Sequence, residues 1–333
     1  MVTLVTGGTG FVGSSVVRQL LERGESVRAL VRPNSDRRNL QGLDVELFEA
    51  DLNDHPSLRA ASSGVSSVYH VAADYRLWVR DAQAMHRTNV EGTVNLIRAA
   101  CDAGARRIVY TSSVATLGIP KDGSLGDETT PVCFQDMMGP YKQSKYLAEE
   151  AVRTLIGQEG APVIIVNPST PIGPRDIKPT PTGRMVLDAA RGRIPAFVDT
   201  GLNLVHVDDV AAGHLLAHDR GEIGQRYILG GENLSLREIF SVIAQLCRRQ
   251  PPGLQLPAMA VLPIAIAMEC LAALTGKPPL TTVDGVRLAR KKMFFCHKHA
   301  EDKLGYRPRP AVQGVRDALT WFQTAGLLAH GEL

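Results

Sequence analysis

The apolar positions along the first half of the chain follow two rhythms in alternation. Short apolar runs fall at Val2–Val5, Ser26–Val31, "DVELFEA" (44–50), "SSVYHVAA" (66–73), "RIVYTSS" (107–113) and "APVIIVNPS" (161–169). Between them lie stretches with apolar residues at helical spacing. "FVGSSVVRQLLERG" stops at Gly24, a long helix runs through "TNVEGTVNLIRAACDAG" (88–104), and another starts at Tyr141. Such alternation predicts an α/β fold of the Rossmann type, a doubly wound parallel sheet with helices on both faces. From Ser169 the pattern gives way to a loop with prolines at 171, 174, 179 and 181. The expected organisation is a Rossmann domain over 1–168, with returns near 202–230 at "LNLVHV" and "RYILGG". A smaller, discontinuous substrate-binding domain would take 169–201 and 231–333.

The junction of the first run and the first helix reads "TGGTGFVG", with Gly7, Gly10 and Gly13 three apart. Strand, glycine turn and helix in that order let the chain bend sharply, so that backbone amides at Phe11, Val12 and the helix start can approach a pyrophosphate. The end of the second strand would then face the adenosine ribose. A carboxylate there would accept both hydroxyls of NAD, but this chain carries "RALVRPNSDRR", with Arg28, Arg32, Arg37 and Arg38. A guanidinium cannot accept those bonds, yet it pairs with a 2′-phosphate. The expected cofactor is therefore NADP(H), bound by Arg32 with Arg37 or Arg38 closing from the other side. Arg28, inside the strand, is read as a solvated basic residue.

The chemistry is expected in "GPYKQSKYLAEE". Tyr141 and Lys145 are four apart and share a helix face, where the ammonium would favour tyrosinate and draw the phenol down from about 10. Tyr141 is then the general acid. "YTSSVAT" places Ser112 and Ser113 at the C-terminal rim of the sheet, where a hydroxyl can hold a carbonyl oxygen. Ser113, Tyr141 and Lys145 together point to an enzyme and away from a protein that only senses NADP.

Composition narrows the partners. The chain has 333 residues, 44% hydrophobic content and a net charge of +3, enough apolar material for two cores and too little basic excess for a nucleic-acid partner. "RLARKK" (287–292) reads as a solvated helix face. The five cysteines, at 101, 133, 247, 270 and 296, show no paired spacing, which implies a reducing compartment. With no charged-then-apolar leader before the first strand, a cytoplasmic location is expected. His297 and His299 in "CHKHAE" are not read as metal ligands, since the reaction needs no metal, and His206, His214 and His218 are read as packing or surface residues. The run Leu256–Leu274 is apolar except for Glu269 and interrupted by prolines at 257 and 263. It is too broken for a membrane span and is read as a buried helix, with a substrate-pocket wall or a peripheral patch at the inner membrane left open.

With these residues in view, the chain resembles the extended short-chain dehydrogenase/reductase family, within the NAD-dependent epimerase/dehydratase superfamily, over essentially its whole length. The likeness rests on "TGGTGFVG", "ADL" (50–52), "HVAA" (70–73), Asn89, Ser113, the Tyr141/Lys145 pair and "NPST". It implies that Asp51 and Leu52 hold adenine and that Val71, Ala72 and Ala73 line the cofactor, with Pro168, Ser169 and Thr170 completing its site. Asn89 would support the active-site helix and a water, and Lys145 would also bind the nicotinamide ribose.

Two departures from the family matter. Val114 and Ala115 stand where sugar-nucleotide dehydratases carry Asp-Glu, which disfavours dehydration. Leu202 and Asn203 stand where UDP-sugar epimerases read Arg-Asp, removing an anchor for a diphosphate unless Arg175, Arg184 or Arg193 substitutes. "VNPSTPIGPRD", "VDGVRLARKKMFF" and "KLGYRPRPAVQGVRDALTWF" resemble dihydroflavonol-4-reductase-like members, and among them the hopanoid-associated sugar epimerases. The expected function is NADPH-dependent reduction of an aldehyde or ketone on an amphiphilic, small or lipid-linked substrate, such as the sugar-derived side chain of a hopanoid. Epimerisation of a sugar or sugar nucleotide is the alternative, and assembly with a second copy is left open.

Overall fold

The computed structural model describes residues 2–329 apart from 77, 78, 80, 276–282 and 289–290. The chain opens with β1 (Val2–Thr6), α1 (Phe11–Glu22), β2 (Ser26–Val31), β3 (Glu46–Glu49), α2 (His55–Ser62) and β4 (Val65–His70). It continues with α3 (Ala82–His86), a π-helical turn at Arg87–Glu91, α4 (Gly92–Asp102), β5 (Arg107–Thr111), α5 (Gly139–Glu159), β6 (Val163–Pro168) and β7 (Thr170–Ile172). The remainder is α6 (Pro181–Ala190), β8 (Ala196–Val198), β9 (Gly201–His206), α7 (Val207–Arg220), β10 (Arg226–Leu229), β11 (Glu232–Ser235), α8 (Leu236–Leu246), β12 (Leu254–Leu256), α9 (Ala258–Thr275), α10 (Val283–Leu288), α11 (Lys298–Leu304) and α12 (Ala311–Thr324).

Seven strands form one sheet in the order β10-β6-β5-β4-β1-β2-β3, every pair parallel. This is the expected Rossmann-type doubly wound sheet. Its central strands are buried on both faces, which is why β6 reads "VIIVNP" without polar alternation. One face packs Val16, Val17 and Leu20 of α1 with Val210 and Leu215 of α7. The other packs Leu58 of α2, Leu96 and Ile97 of α4 and Val152 of α5. Each such side chain contributes roughly 1.5–3 kcal/mol on burial.

The second sheet places β9 between β11, antiparallel, and β7, parallel, and a third pairs β12 with β8. The chain does return to the main sheet at β10, but "LNLVHV" does not. Strand β9 belongs to the small sheet, and the return begins with α7, whose Asp208 carbonyl accepts from Gln19 of α1 at 2.7 Å. Periodicity marks a strand without saying which sheet it joins. Ile172, Leu187, Ile239, Phe240, Leu319 and Phe322 form the core beside the small sheet.

Two further expectations are corrected. Leu256–Leu274 begins at the end of β12 and is helical from Ala258 in α9, but it is not a buried helix, since Met259, Ile264, Ile266 and Leu271 are exposed. Lys291 and Lys292 of "RLARKK" are exposed but lie beyond α10 and so on no helix face, and residues 289–290 fall outside the described residues. Among the described residues Cys101, Cys133, Cys247 and Cys296 form no disulfide, and the Cys270 side chain lies outside them. Among the described residues no helix is long and apolar enough to cross a membrane.

Candidate active site

The turn after β1 is built on glycine for steric reasons. Gly7 has φ 71°, and a Cβ there would sit 2.8 Å from the Ala72 amide nitrogen. A Cβ on Gly13 would sit 2.1 Å from the Gly7 carbonyl oxygen, which already accepts the Gly10 amide at 2.9 Å. Gly10 occupies the N-cap of α1 without a side-chain cap, so the amides of the first turn, with Phe11 and Val12 at its start, stay available to an anion. Around this turn, Ala72 donates its amide to Thr6 at 3.2 Å, between Val71 and Ala73. Leu52 packs under Gly92, while Asp51 accepts the Asn53 amide at 2.9 Å. Pro168 ends β6, Thr170 starts β7, and the Ser169 hydroxyl between them is buried without a hydrogen-bond partner. A glycine cradle that a Cβ would fill, with an orphaned hydroxyl at the same end of the sheet, fits a dinucleotide.

The four arginines separate by partner. Arg28 is structural, pairing with Glu46 at 2.9 Å and donating to the carbonyls of Ala61 and Ser63. Arg37 pairs with Glu49, and Arg38 holds Asp36, whose carboxyl is pulled down to about 2 by that guanidinium. Both arginines expected to close on a phosphate thus lie beside carboxylates. Arg32, exposed at the end of β2, is the one of these four described guanidinium groups with neither an ion pair nor a side-chain hydrogen bond.

At the rim beyond β5 the two serines take different roles. The Ser112 hydroxyl is buried and donates to Glu149 at 2.5 Å. Ser113 Oγ accepts the Ala115 amide at 3.1 Å and lies beside Tyr141 in the first turn of α5. Burial pushes the Tyr141 phenol up, and the Ser113 hydroxyl pulls the other way. The expected Lys145-to-Tyr141 coupling is replaced. Lys145 Nζ donates to the Thr111 carbonyl at 2.8 Å and to the Tyr110 hydroxyl at 3.1 Å, and burial pushes it down to about 8 against the opposing pull of Glu149. Position four along a helix gives proximity of side-chain bases, and the buried acceptors decide where the ammonium goes.

Asn89 sits in the π-helical turn, a local widening that turns a side chain off the helical register. Its amide donates to Ser144 Oγ at 3.0 Å and to the Asp74 carbonyl at 2.9 Å, while its oxygen accepts the Asp74 amide at 2.7 Å. Ser144 in turn donates to the Tyr141 carbonyl at 2.8 Å, so Asn89 braces the turn that carries the acid.

Sequence reasoning missed the layer beneath. Glu149 is buried and receives Ser112, Thr116, Asn167 and Arg226, the last three at 2.9, 3.0 and 3.1 Å. Its signal was present, since it lies four residues after Lys145 on the same helix face. Tyr110 and His70 had none. His70, fully buried, bridges Thr6 at 2.7 Å and Thr93 at 2.9 Å, which only the parallel register of β1 and β4 could reveal.

On the substrate side, Asn203 is committed to internal bracing, donating to the Gly231 carbonyl at 3.1 Å and to Asn233 at 2.8 Å. Arg175 is tied to Asp208 and to Ser15, which leaves Arg184 and Arg193 as the exposed members of the three possible diphosphate anchors. Asp176 is buried, accepts the Thr180 amide and hydroxyl, and is pushed up to about 6 by that burial. His206 lies 3.2 Å from Asp317, His214 donates from Nδ1 to the Val210 carbonyl and accepts the Thr111 hydroxyl at Nε2, and His218 stacks on Tyr69. His297 pairs with Glu301 and His299 stacks on Tyr227.

A parallel Rossmann sheet with a glycine turn at β1 and a Ser, Tyr and Lys set at its C-terminal rim defines an NAD(P)-dependent oxidoreductase or epimerase of the extended short-chain type. The chain belongs to the NAD dependent epimerase/dehydratase family, whose model matches residues 3–230. It is 45% identical to a putative dihydroflavonol 4-reductase of Synechocystis sp. over 97% of this chain and 94% of that one. It is 36% identical to sterol demethylase protein B of Methylococcus capsulatus over 98% and 100% of the two chains. The crystal structure of gox2253 superposes with a TM-score of 0.89 at 53% identity, covering 98% of this chain and 99% of that one.

Proposed function

We propose that this protein is an NADPH-dependent carbonyl reductase acting on an aldehyde or ketone of an amphiphilic molecule, with the sugar-derived side chain of a hopanoid as the leading candidate. The observation that carries the reading is Arg32, exposed at the end of β2 and unpaired while Arg28, Arg37 and Arg38 are engaged. A free guanidinium suits a 2′-phosphate, and the phosphorylated cofactor serves net reduction. The names of two relatives, a 4-reductase and a sterol-processing protein, support a carbonyl on a largely apolar skeleton.

A bound NADPH supplies the hydride. The chain's own side chains do the rest. Ser113 orients the carbonyl oxygen, and Tyr141 donates its phenolic proton to that oxygen as the alcohol forms. Burial keeps Tyr141 protonated near neutral pH, which suits an acid in the reductive direction. Lys145 keeps a positive charge near the site below about pH 8, and Asn89 holds the turn that aims Tyr141.

Epimerisation of a sugar nucleotide is the second reading, favoured by Arg184, exposed on α6 beside Asp176, as an anchor for a diphosphate. The test is stoichiometry. NADPH consumed is compared with reduced product formed from ribosylated hopanoid and from UDP-sugars. One NADPH lost per polyol formed supports the reductase. A UDP-sugar converted to its epimer without net NADPH loss overturns it.

A further inference from the structure

Helix α9 is apolar almost throughout, and its outward side is as apolar as its inward side. Ala265 and Ala272 are buried, whereas Met259, Ile264, Ile266 and Leu271 are 60%, 55%, 49% and 58% exposed. Ala260, Ile264, Ala267 and Leu271 recur at helical spacing along one exposed stripe. Leu254, in β12 just before the helix, is 57% exposed as well. Single exposed apolar side chains need no explanation, but five within 254–271 form a patch that calls for a cover.

Among the described residues the patch holds no exposed charge. Glu269, the one charged residue of α9, accepts the Val283 amide at 2.9 Å, at the start of α10, which packs along α9. Among the described residues, the exposed charges that flank the apolar stretch in sequence are basic. Arg248 and Arg249 precede it and Lys291 and Lys292 follow it, all four exposed. Arg237 bonds Gln255 beside Leu254 at 2.7 Å. Two carboxylates, Asp199 at 4.0 Å from Lys292 and Glu238 next to it, partly offset this rim. An uncharged apolar face with a net basic rim is the complement of an anionic bilayer surface.

The chain beyond α10 leads to the active-site helix. The segment after α10 pairs Met293 with Leu202 and Phe295 with Gly126. Lys291 at its start is close enough to Lys142, in α5 one residue after Tyr141, to add to the burial that pushes that ammonium down to about 8.

We propose that the α9 face docks this protein in the plane of an anionic bilayer, with the helix lying on the surface and the active-site mouth turned to the lipid that carries the carbonyl. This deepens the reading of an amphiphilic substrate and rests on it for the identity of the cargo, while docking itself is measured without substrate. The patch is too small and too interrupted at Pro263 to span, so the association is peripheral and reversible.

The experiment is co-sedimentation of the full chain with vesicles of phosphatidylglycerol mixed into phosphatidylcholine, against vesicles of phosphatidylcholine alone. Expected is binding to the anionic vesicles that weakens on the neutral ones and with added salt. Ile264→Asp with Leu271→Asp is expected to lower that binding by about tenfold or more. NADPH-dependent reduction of a short water-soluble aldehyde should stay unchanged in the same variant, so loss of docking and loss of the reductase reading are told apart. Wild-type protein that stays in the supernatant at every phosphatidylglycerol content overturns the proposal whatever the variant does. So does a wild-type dimer that Ile264→Asp converts to monomer, since the face would then be covered by a second copy.

Discussion

The ammonium of Lys145 lies 3.1 Å from the hydroxyl of Tyr110, a strand residue 35 positions earlier, and 4.8 Å above the centroid of its ring. Tyr110 is fully buried and its phenol is pushed well above the ordinary range, so it offers the lysine a neutral acceptor and a π face. A neutral partner holds the charge in place without cancelling it, as a carboxylate would.

Lys145 is pushed down to about 8 by burial, so its charge is lost as pH rises through that value, and kcat/KM should fall there. Tyr110→Phe removes a bond to the charged form and keeps the ring. The alkaline limb is expected to move to lower pH, with kcat reduced by about tenfold. A pH–rate profile identical to wild type would show that the Tyr110 hydroxyl plays no part in holding the charge.

Cofactor choice should depend on Arg32 and not on its neighbours. Arg32→Asp is expected to raise KM for NADPH by roughly 10–100-fold and to favour NADH, as a lost charge-assisted bond predicts. Arg37→Gln and Arg38→Gln, whose wild-type partners are Glu49 and Asp36, should change KM for NADPH by much less. Steady-state kinetics with both cofactors checks this, and equal effects at all three positions would count against the assignment to Arg32.

The two serines of the rim should separate by phenotype. Tyr141→Phe and Ser113→Ala are expected to cut kcat, the former by ~10²–10⁴, with little change in melting temperature. Ser112→Ala removes a donor from the buried Glu149 and should cost about 1–3 kcal/mol of stability. Kinetics and thermal melts on the three variants decide it.

Stability should decline on acidification. His70 and His214 are pushed down to about 3 and about 4 by burial, so below the unfolded value near 6.5 the unfolded chain takes up protons that the native state refuses. Each group then costs about 1.4 kcal/mol per pH unit. Asp176, pushed up to about 6, has the opposite sign, since the native state binds its proton first and gains stability as pH falls from there. Asp176 offsets one of these two histidines, and His206 and His297, also pushed down by burial, add losses of the same sign. Denaturant melts from neutral down to about pH 4.5 should show a shallower decline in His214→Gln than in wild type, and an equal slope would exclude the histidine origin.

Much of this protein was legible in its sequence because the determining physics is local. Alternating periodicity gave the parallel sheet, and the glycine spacing gave the turn that the Cβ clashes at Gly7 and Gly13 enforce. The helical spacing of Tyr141 and Lys145 put them on one face of α5. What failed was pairing across the chain. Asp36 and Arg38 pair within "RALVRPNSDRR", but nothing in that stretch says that Glu49, twelve residues on, takes Arg37 while Arg32 stays exposed.

The sequence by itself thus determined the class of fold, the nucleotide turn and the residue types of the site, since each follows from interactions within a few residues. Tertiary structure alone decided that Lys145 reaches Tyr110, that Ser112 serves Glu149 while Ser113 lies beside Tyr141, that β9 leaves the main sheet, and that α9 turns an apolar face outward. The reason is common to all four. A buried polar group must find its partner wherever the register of distant strands brings one, and an apolar segment is covered only if the fold supplies a second surface for it.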